Sequence, residues 1–463
     1  MRPFTPGDSE RIARIIARIM SLPEDAVATL VDEVLAEFSK RHQGIRKLFL
    51  ERFEQVRGLM LTDENLSEQK RLLIGSYFWA EYSLESAALF NPSIVPHLDQ
   101  TELQPGALRF ILSLRATGEG HISSITFRTG VIHPDHRVEV FTPTGFLTEP
   151  RQITNPLYEK AMFERKLTEL GCTCDFTKRV MGALGESFAL EDLLAGLKAV
   201  QHDQSHEDHN AAQAISLLAQ SNCEVQFQPD QEISERIIFP ATPSQRNGIE
   251  DARFVRFQND DGTQMYYATF TAFDGKVIMP QLVETYDFLL FRFITLNGPA
   301  AQNKGMALFP RKIGGQYVML SRQDNENIFL MFSDNVHFWN EYKVLLKPTF
   351  PWELIQIGNC GSPIETDAGW LVLSHGVGPM RKYCIGAFLL DHDDPSKVIG
   401  RLREPLLKPN AKEREGYVPN VVYSCGALIH NGELIIPYGL ADHATGFATV
   451  PLTDVLAAME HMP

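Results

Sequence analysis

Short apolar strands that recur with a period of about 50 residues constrain the fold of this chain more than any other feature. Four consecutive blocks of three or four strands open at Glu250-Asp251, Asn303-Lys304, Gly358-Asn359 and Val418-Pro419. These openings are 52 or 53, 55 and 60 residues apart. A further block runs from Asn91 to about Phe141, which brings the number of blocks to five.

Two-residue turns within the blocks support this interpretation. Gly314-Gly315 and Asn431-Gly432 each separate two apolar runs, as tight β-hairpins require. Repeats of this length with about four short strands each are typical of propellers. The sequence therefore predicts a mainly β protein, a five-bladed β-propeller, over residues 89–455.

Two regions have helical periodicity instead. Residues 1–88 are predicted to form an N-terminal α-helical domain, in which Asp8 or Ser9 caps the first helix and a third helix covers about Leu66–Ala88. A helical insertion is expected at about residues 155–220, and it could overhang the propeller's site. The N-terminal helices are interpreted as a bundle, with oligomerisation or substrate covering as the alternative.

Charge and cysteine content restrict the partners and the compartment. The net charge of −15 argues against nucleic acid or an anionic membrane as a partner. The N-terminus lacks a long apolar segment, and the six scattered cysteines do not form a dense disulfide framework. We therefore expect a cytoplasmic protein with reduced thiols.

Four ordered motifs point to chemistry. The most informative, IGNCGSPIETDAGWLVLSHGVGPM at Ile357–Met380, is rich in glycine, which lets the backbone approach a ligand closely, and it places His375 at the end of a strand. The others are GIEDARFV at Gly248–Val255, NKGMALFP at Asn303–Pro310 and EREGYVPNVVYSCGA at Glu413–Ala427. Together they resemble glycoside hydrolase family 130, five-bladed propellers that act on β-mannosides, most of them as phosphorylases. The resemblance covers roughly Asn91–Val450, apart from the insertion.

The resemblance implies a role for Asp251, which taken alone would be an ordinary salt-bridge residue. The matching Asp of the family is the general acid, thought to act through a sugar hydroxyl, and a carboxyl with a raised pKa suits that task. Glu250 and Arg253 are then expected to orient it. An inverting hydrolase would need a second carboxylate to activate water, and Glu365 and Glu284 are the candidates for that role.

A phosphorylase needs a cationic site for phosphate instead. The resemblance implies that Lys304, Arg322 and His375 bind phosphate, with Arg381 adding to the positive rim. It also maps sugar-binding roles onto Asn91, Arg115 and Asp442, with Tyr438 as a neighbouring wall. Each of these residues taken singly is compatible with an ordinary structural role.

One cluster is discounted as a metal site. His202, His206 and His209 lie at helical spacing among acidic residues and could in principle bind zinc. Such polar stretches are usually solvated helix ends, and the resemblance calls for no metal. No metal or organic cofactor is expected, with inorganic phosphate as the co-substrate.

The sequence therefore predicts an inverting β-mannoside phosphorylase that converts β-mannosyl oligosaccharides and inorganic phosphate to α-mannose 1-phosphate. Its expected partners are the oligosaccharide and phosphate, and homo-oligomers through the helical regions are possible. The alternatives are an inverting β-mannosidase that uses water and a non-catalytic carbohydrate-binding propeller.

Overall fold

A computed structural model of the protein describes residues 1–60, 64–153, 157–200, 206–240, 245, 248–273 and 278–461. The chain forms two compact units. One comprises Met1–Leu84 and Thr144–Leu147, and the other comprises Glu85–Pro143 and Thr148–Pro463. No helix among the described residues combines the length and the apolar character needed to cross a membrane.

The first unit is helical. Its helices are α1 (Ser9–Met20), α2 (Glu24–Phe38), α3 (Ile45–Val56) and α4 (Glu68–Ser76), and a two-stranded sheet joins Arg2–Pro3 to Trp79–Ala80. Their apolar stripes share one buried cluster that includes Ile16, Phe49 and Phe78. Asp8 caps α1, as predicted, because its carboxylate accepts a hydrogen bond from the Arg11 amide at 2.8 Å.

The predicted third helix was wrong in extent. Helix α4 ends at Ser76, and Trp79 lies in the short strand. The aromatic run mimics helical periodicity, but tertiary contacts decide its conformation. The Trp79 indole donates to the carbonyl of Leu48 at 3.0 Å, and Phe78 is fully buried.

The second unit contains five antiparallel sheets arranged as the blades of a propeller. The strands of blade 1 are Ala88–Pro96, Leu108–Thr117, Ser123–Ile132, Val138–Val140 and Ile237–Ile238. Those of blade 2 are Ile249–Gln258, Gln264–Phe273, Ile278–Thr285, Leu290–Thr295, Cys223–Gln226 and Arg151–Ile153. Those of blade 3 are Lys304–Leu308, Tyr317–Arg322, Ile328–Ser333 and Tyr342–Leu346.

Blades 4 and 5 complete the ring. The strands of blade 4 are Gln356–Asn359, Ile364–Thr366, Gly369–Gly378, Lys382–Leu390, Val398–Arg401 and Glu460–His461, and α9 (Leu452–Ala457) precedes the last of them. Those of blade 5 are Val422–Tyr423, Leu428–His430, Glu433–Leu440 and Ala444–Pro451. Backbone hydrogen bonds join blade 5 to blade 1, from Leu89 to His443 at 3.1 Å and from Cys425 to Pro92 at 2.8 Å.

Strand alternation explains how the blades pack. Successive side chains of a strand point to opposite faces of its sheet, and here both faces are buried. In blade 4, Trp370 and Val372 pack with Phe309 of blade 3, whereas Leu371 and Leu373 lie in the cluster shared with blade 5. A separate apolar cluster lies between each pair of adjacent blades. The five-bladed prediction is confirmed, and the predicted hairpin turns have left-handed backbone at Gly314, Gly315, Asn431 and Gly432.

Most glycines of the Ile357–Met380 motif serve packing between protein segments. A Cβ atom at Gly376 would lie 2.4 Å from the indole of Trp352, and one at Gly378 would lie 3.0 Å from its backbone. Gly361 approaches the backbone of Cys425 in the same way. The expectation that this glycine density serves a ligand is therefore wrong for these positions.

The helical insertion packs at the outer edge of blade 2. Its helices are α5 (Lys160–Glu169), α6 (Asp175–Gly182), α7 (Leu190–Ala199) and α8 (His206–Ser221), with a small sheet of Tyr158–Glu159 and Ser187–Phe188. The ammonium group of Lys166 donates to the carbonyl of Leu296 at 2.8 Å, and α8 leads into the blade 2 strand Cys223–Gln226.

Candidate active site

A polar cavity of about 310 Å³ lies where the inner strands of the five blades begin. Its walls come from every blade: Asn91, Arg115, Glu250, Asp251, Arg253, Thr271, Lys304, Arg322, His375, Arg381, Tyr383, Val418, Val421, Tyr423 and Asp442. Seven of the eight residues that the sequence singled out for the site are among them, and Tyr438 is not. The described residues of the helical insertion do not line this cavity, so they do not overhang it.

A β-bulge recurs at the start of three inner strands. Pairing with the second strand shifts register between Phe90 and Ser93 in blade 1 and between Glu250 and Arg253 in blade 2. The same shift follows Lys304 in blade 3. The bulge residues Asn91, Asp251 and Gly305 have left-handed backbone, with φ of 50°, 53° and 85°. Asn, Asp and Gly are the residues that tolerate this conformation best, which is the sequence signal for these bulges.

In blades 1 to 4, the strand that pairs with the inner strand presents a side chain at an equivalent point, next to the bulge where one is present. Arg115 pairs with Phe90, Thr271 with Glu250, Arg322 with Lys304, and His375 with Gly358. All four of these paired residues line the cavity. Thr271 was not predicted, although its position opposite Glu250 makes it the equivalent of Arg115.

Carboxylates and their partners occupy the side formed by blades 1 and 2. The Asn91 amide donates to Asp251 Oδ1 at 2.7 Å, and Arg115 Nη1 lies 3.7 Å from the same oxygen. Arg115 Nη2 donates to Glu250 Oε1 at 3.0 Å, and its Nε donates to the Ser123 hydroxyl at 2.9 Å. The guanidinium of Arg115 is thus held between two acids.

The balance of charge keeps Asp251 ionised in the cavity described here. Burial acts to raise the pKa of its carboxyl, but Arg115, Arg253, the Asn91 hydrogen bond and Lys304 together hold that pKa below its usual value. The expectation of a raised pKa is therefore wrong for this state of the site. The sequence could not anticipate it, because the cations come from three different blades.

The pKa of Asp442 is displaced in the opposite direction from that of Asp251. Asp442 follows Ala441 in a left-handed turn, and burial together with the charge of Asp251 raises the pKa of its carboxyl to about 6. Two acids of one cavity thus have pKa values displaced in opposite directions, an arrangement that recurs at sites of acid–base chemistry.

Cations dominate the side formed by blades 3 and 4. Arg322 Nη1 lies 3.3 Å from His375 Nε2, and Lys304 pairs with Arg322 across the two strands. Within the part of the chain that the structure describes, no carboxylate forms an ion pair with Lys304 or Arg322. Both side chains line the cavity, and Lys304 interacts with Asp251 at longer range than an ion pair.

His375 takes part in this group as a neutral ring. Burial, then Arg322 and Arg253, lower the pKa of its imidazole well below the usual value. The ring packs on Gly358, where a Cβ atom would lie 2.5 Å from Cε1, and against Tyr423 with ring centroids 4.9 Å apart. The expectation of three cationic side chains is corrected to two cations and a neutral hydrogen-bonding group.

Arg253 connects the two sides. Its Nε donates to the carbonyl of Cys360 at 2.8 Å, and Nη2 donates to the hydroxyl of Tyr423 at 2.6 Å. Tyr423 was not predicted from the sequence, and neither were Tyr383, Val418 and Val421. These residues are uncharged, and most of the residues singled out from the sequence are charged. All four line the cavity.

Tyr438 has a different position from the one expected. Its hydroxyl donates to Glu413 Oε1 at 2.9 Å, and burial followed by Glu413 raises the pKa of the phenol to about 12. It therefore binds the loop before the inner strand of blade 5 and does not form a wall of the cavity.

Neither glutamate considered for a hydrolase lines the cavity. Glu365 forms ion pairs with Arg311 at 2.5 Å and with His392 at 2.9 Å. Glu284 lies 2.7 Å from His337 Nε2. Both are occupied by partners elsewhere in the propeller.

The histidine cluster near residue 205 is only partly described. His202 and Asp203 lie outside the described residues, as do the side chains of His206 and Glu207, whereas the His209 ring is 3.2 Å from Gln213. In the described ranges, no group of three or more His, Cys, Asp or Glu side chains is arranged to hold a metal ion.

Comparison with known proteins assigns the chain to a family. Residues 207–461, more than half of the chain, match the model of glycoside hydrolase family 130, described as beta-1,4-mannooligosaccharide phosphorylase. The chain is 37% identical over 222 residues to a 1,2-beta-oligomannan phosphorylase of Thermoanaerobacter sp., covering 46% of this chain and 72% of that protein. It is 36% identical over 184 residues to a beta-1,4-mannooligosaccharide phosphorylase of Ruminococcus albus, covering 37% and 55% of the two chains.

Among solved structures the similarity is weaker. The beta-1,2-mannobiose phosphorylase of Listeria innocua, in complex with beta-1,2-mannobiose, superimposes with a TM-score of 0.48 at 22% identity, covering 80% of this chain and 92% of that one. The family assignment depends on the family-model match, whose range of residues 207–461 includes the motifs around Asp251, Lys304 and His375. This protein belongs to glycoside hydrolase family 130.

Proposed function

We propose that this protein is an inverting β-mannoside phosphorylase, which cleaves a β-mannosyl oligosaccharide with inorganic phosphate and releases α-mannose 1-phosphate. One observation carries the proposal. A single cavity has Asp251, hydrogen-bonded to Asn91, on one side and on the other Lys304 and Arg322, which form no ion pair with a carboxylate of the described residues.

Lys304, Arg322 and His375 are the proposed phosphate site. The planar guanidinium of Arg322 can bind two phosphate oxygens at once, and Lys304 adds a point charge. Neutral His375 accepts a hydrogen bond from Arg322 at Nε2 and so orients the guanidinium toward the proposed phosphate. Arg381 also lines the cavity and lies over the Tyr383 ring at 5.7 Å, so it extends the positive rim.

Phosphate binding also prepares the acid. Lys304 is one of the groups that hold the pKa of Asp251 low. A bound phosphate anion neutralises that contribution, so the pKa of Asp251 rises when the nucleophile is in place. This effect acts in the direction that favours proton donation when phosphate is bound.

The proposed reaction is a single displacement with inversion. Asp251 supplies a proton, through a sugar hydroxyl, to the glycosidic oxygen as its bond to the anomeric carbon breaks. A phosphate oxygen forms a bond to that carbon from the opposite face, and the leaving sugar keeps the proton. Asn91, Arg115 and Asp442 are the proposed ligands of the mannose hydroxyls, and no metal or organic cofactor takes part.

Hydrolysis is the alternative, and the positions of Glu365 and Glu284 away from the cavity disfavour it. A carbohydrate-binding propeller without catalysis would not need uncompensated cations in its cavity. A cytoplasmic location and homo-oligomers through the helical regions are further proposals, and chromatography with light scattering tests the second.

The direct experiment supplies pure protein with β-mannobioses of different linkage and inorganic phosphate, and follows products by ³¹P NMR. The α-mannose 1-phosphate resonance should grow only when phosphate is present. Release of free mannose at the same rate in phosphate-free buffer would favour the hydrolase instead, and no turnover with bound disaccharide would favour the binding propeller.

A further inference from the structure

An exposed aromatic side chain lies beside the cavity mouth without a role in the proposed reaction. Tyr417 is 72% exposed, and the next residue, Val418, lines the cavity. Met380 is 89% exposed and precedes the lining residue Arg381. Single exposed apolar residues are common on protein surfaces, but one next to a ligand cavity is in a position to contact the ligand.

Tyr417 is held in position by a partner from blade 1. Its ring stacks on the imidazole of His121, with centroids 5.5 Å apart and planes inclined by 24°. His121 has left-handed backbone with φ of 58°, and its segment continues into Ser123, which accepts a hydrogen bond from Arg115. Because one face of the tyrosine ring is covered by His121, the opposite face is available to a ligand.

The segment that carries Tyr417 is anchored at several points. Tyr438 donates to Glu413, and the amide of Val418 donates to the carbonyl of Ala441 at 2.9 Å. Gly416 approaches Ala441 so closely that a Cβ atom would lie 2.6 Å from the alanine Cβ. The ring is therefore ordered before any ligand arrives, which lowers the entropic cost of binding on it.

We propose that Tyr417, stacked on His121, forms a platform for the sugar on the leaving side of the scissile bond. The C–H face of a pyranose is apolar and packs well on an aromatic ring, whereas phosphate is drawn to the cations of blades 3 and 4. An uncharged acceptor sugar thus has its own binding surface at the blade 1–blade 5 side of the mouth. The inference rests on the proposed function and deepens it, since it concerns the acceptor of the same reaction.

Kinetics in the synthetic direction test the platform, because donor and acceptor are then separate substrates. With α-mannose 1-phosphate as donor and mannose or β-mannobiose as acceptor, Tyr417→Ala should raise the acceptor KM by about 3- to 10-fold, the loss of one aromatic contact. The KM for α-mannose 1-phosphate should stay within about twofold, because that molecule binds deeper in the cavity. Tyr417→Phe keeps the ring and should recover most of the acceptor affinity.

Two further variants separate the platform from general damage. Tyr286→Ala removes another exposed tyrosine, which lies between the blade 2 strands Ile278–Thr285 and Leu290–Thr295, and should change neither KM. Tyr438→Phe removes only the bond to Glu413 and should raise the acceptor KM by about 2-fold through a looser loop. An unchanged acceptor KM in Tyr417→Ala, or equal increases in the donor and acceptor KM values, would overturn the platform.

Failure of the proposed function has a different signature. If the wild type makes no α-mannose 1-phosphate, the reaction is rejected, and binding of β-mannobiose to wild type and Tyr417→Ala is compared by saturation-transfer NMR. Equal binding by the two proteins would then overturn the platform, and loss of the signal in Tyr417→Ala would support it.

Discussion

The two sides of the cavity share one backbone design and differ in charge compensation. On the side of blades 1 and 2, the bulge residues are Asn91 and Asp251, and Arg115 is shared between Asp251 and Glu250. On the side of blade 3, the bulge residue is Gly305, and the neighbouring cations have no carboxylate partner in the described chain. The same bulge therefore carries a carboxylate in blade 2 and a glycine next to two cations in blade 3, so the bulge side chain sets the local charge.

Removing the acid should have the largest effect. Asp251→Asn keeps the shape of the side chain and, after rotation of the amide, a hydrogen bond with Asn91. General acid catalysis contributes about 10²- to 10⁴-fold, so phosphorolysis of β-mannobiose should fall by about that factor. Initial rates of α-mannose 1-phosphate release measure it, with the melting temperature as the control for folding. Activity within a few-fold of the wild type would refute the role of Asp251.

Placing an acid in the bulge of blade 3 should give the cations of that side a carboxylate partner, as on the side of blades 1 and 2. Gly305→Asp puts a carboxylate beside Arg322, at a left-handed position that Asp tolerates. A new ion pair should raise the KM for phosphate by about 10- to 100-fold, because charge-assisted hydrogen bonds to phosphate are replaced.

Gly305→Asn is the matched control for that variant. A Cβ atom at position 305 would lie 3.3 Å from the Arg322 Cβ, so both variants experience the same crowding. The asparagine variant adds no charge and should raise the phosphate KM much less. Equal effects of Asp and Asn would show that crowding, and not charge compensation, governs phosphate binding.

The third prediction concerns the acid whose pKa is raised. Because the folded-state pKa of Asp442 is about 6, above that of an unfolded chain, its favourable contribution to stability is complete below the unfolded pKa and is lost as the pH rises through about 6. We therefore compare the free energy of unfolding of Asp442→Asn with that of the wild type at each pH. The variant should gain about 1–2 kcal/mol more over the wild type at pH 8 than at pH 4.

Urea unfolding at the two pH values measures this difference. The exposed turn residue Asp367 offers a control, since Asp367→Asn removes the same kind of charge away from the cavity. A difference between pH 8 and pH 4 that is the same for both variants would reject the coupling between Asp442 and Asp251.

Local patterns were sufficient for much of the architecture. The Gly314-Gly315 and Asn431-Gly432 turns are set by glycine and asparagine chemistry, and the Asp8 cap is set by its own helix. The blades follow from short apolar strands at a regular period. Patterns failed where distant contacts compete with local preference, as at Trp79, whose indole bonds to Leu48 and ends the predicted helix.

The sequence predicted most of the residues that line the cavity, but it did not predict their hydrogen-bond partners or protonation states. Seven of the eight singled-out residues line the cavity because a repeat places equivalent residues at equivalent points of each blade. Tyr438 was misplaced, since nothing in its motif indicates that its hydroxyl donates a hydrogen bond to Glu413. The protonation of His375 was also misjudged, because its burial and the neighbouring Arg322 come from the assembled ring.

The sequence by itself determined the blade repeat, the turn conformations and the residue types that face the axis, because these depend on near neighbours along the chain. Only the tertiary structure decided which acid is ionised, which histidine is neutral and which cations are left without a partner. Those properties are sums of burial and Coulomb interactions among side chains from different blades, and the chain must close into a ring before any of those interactions exist.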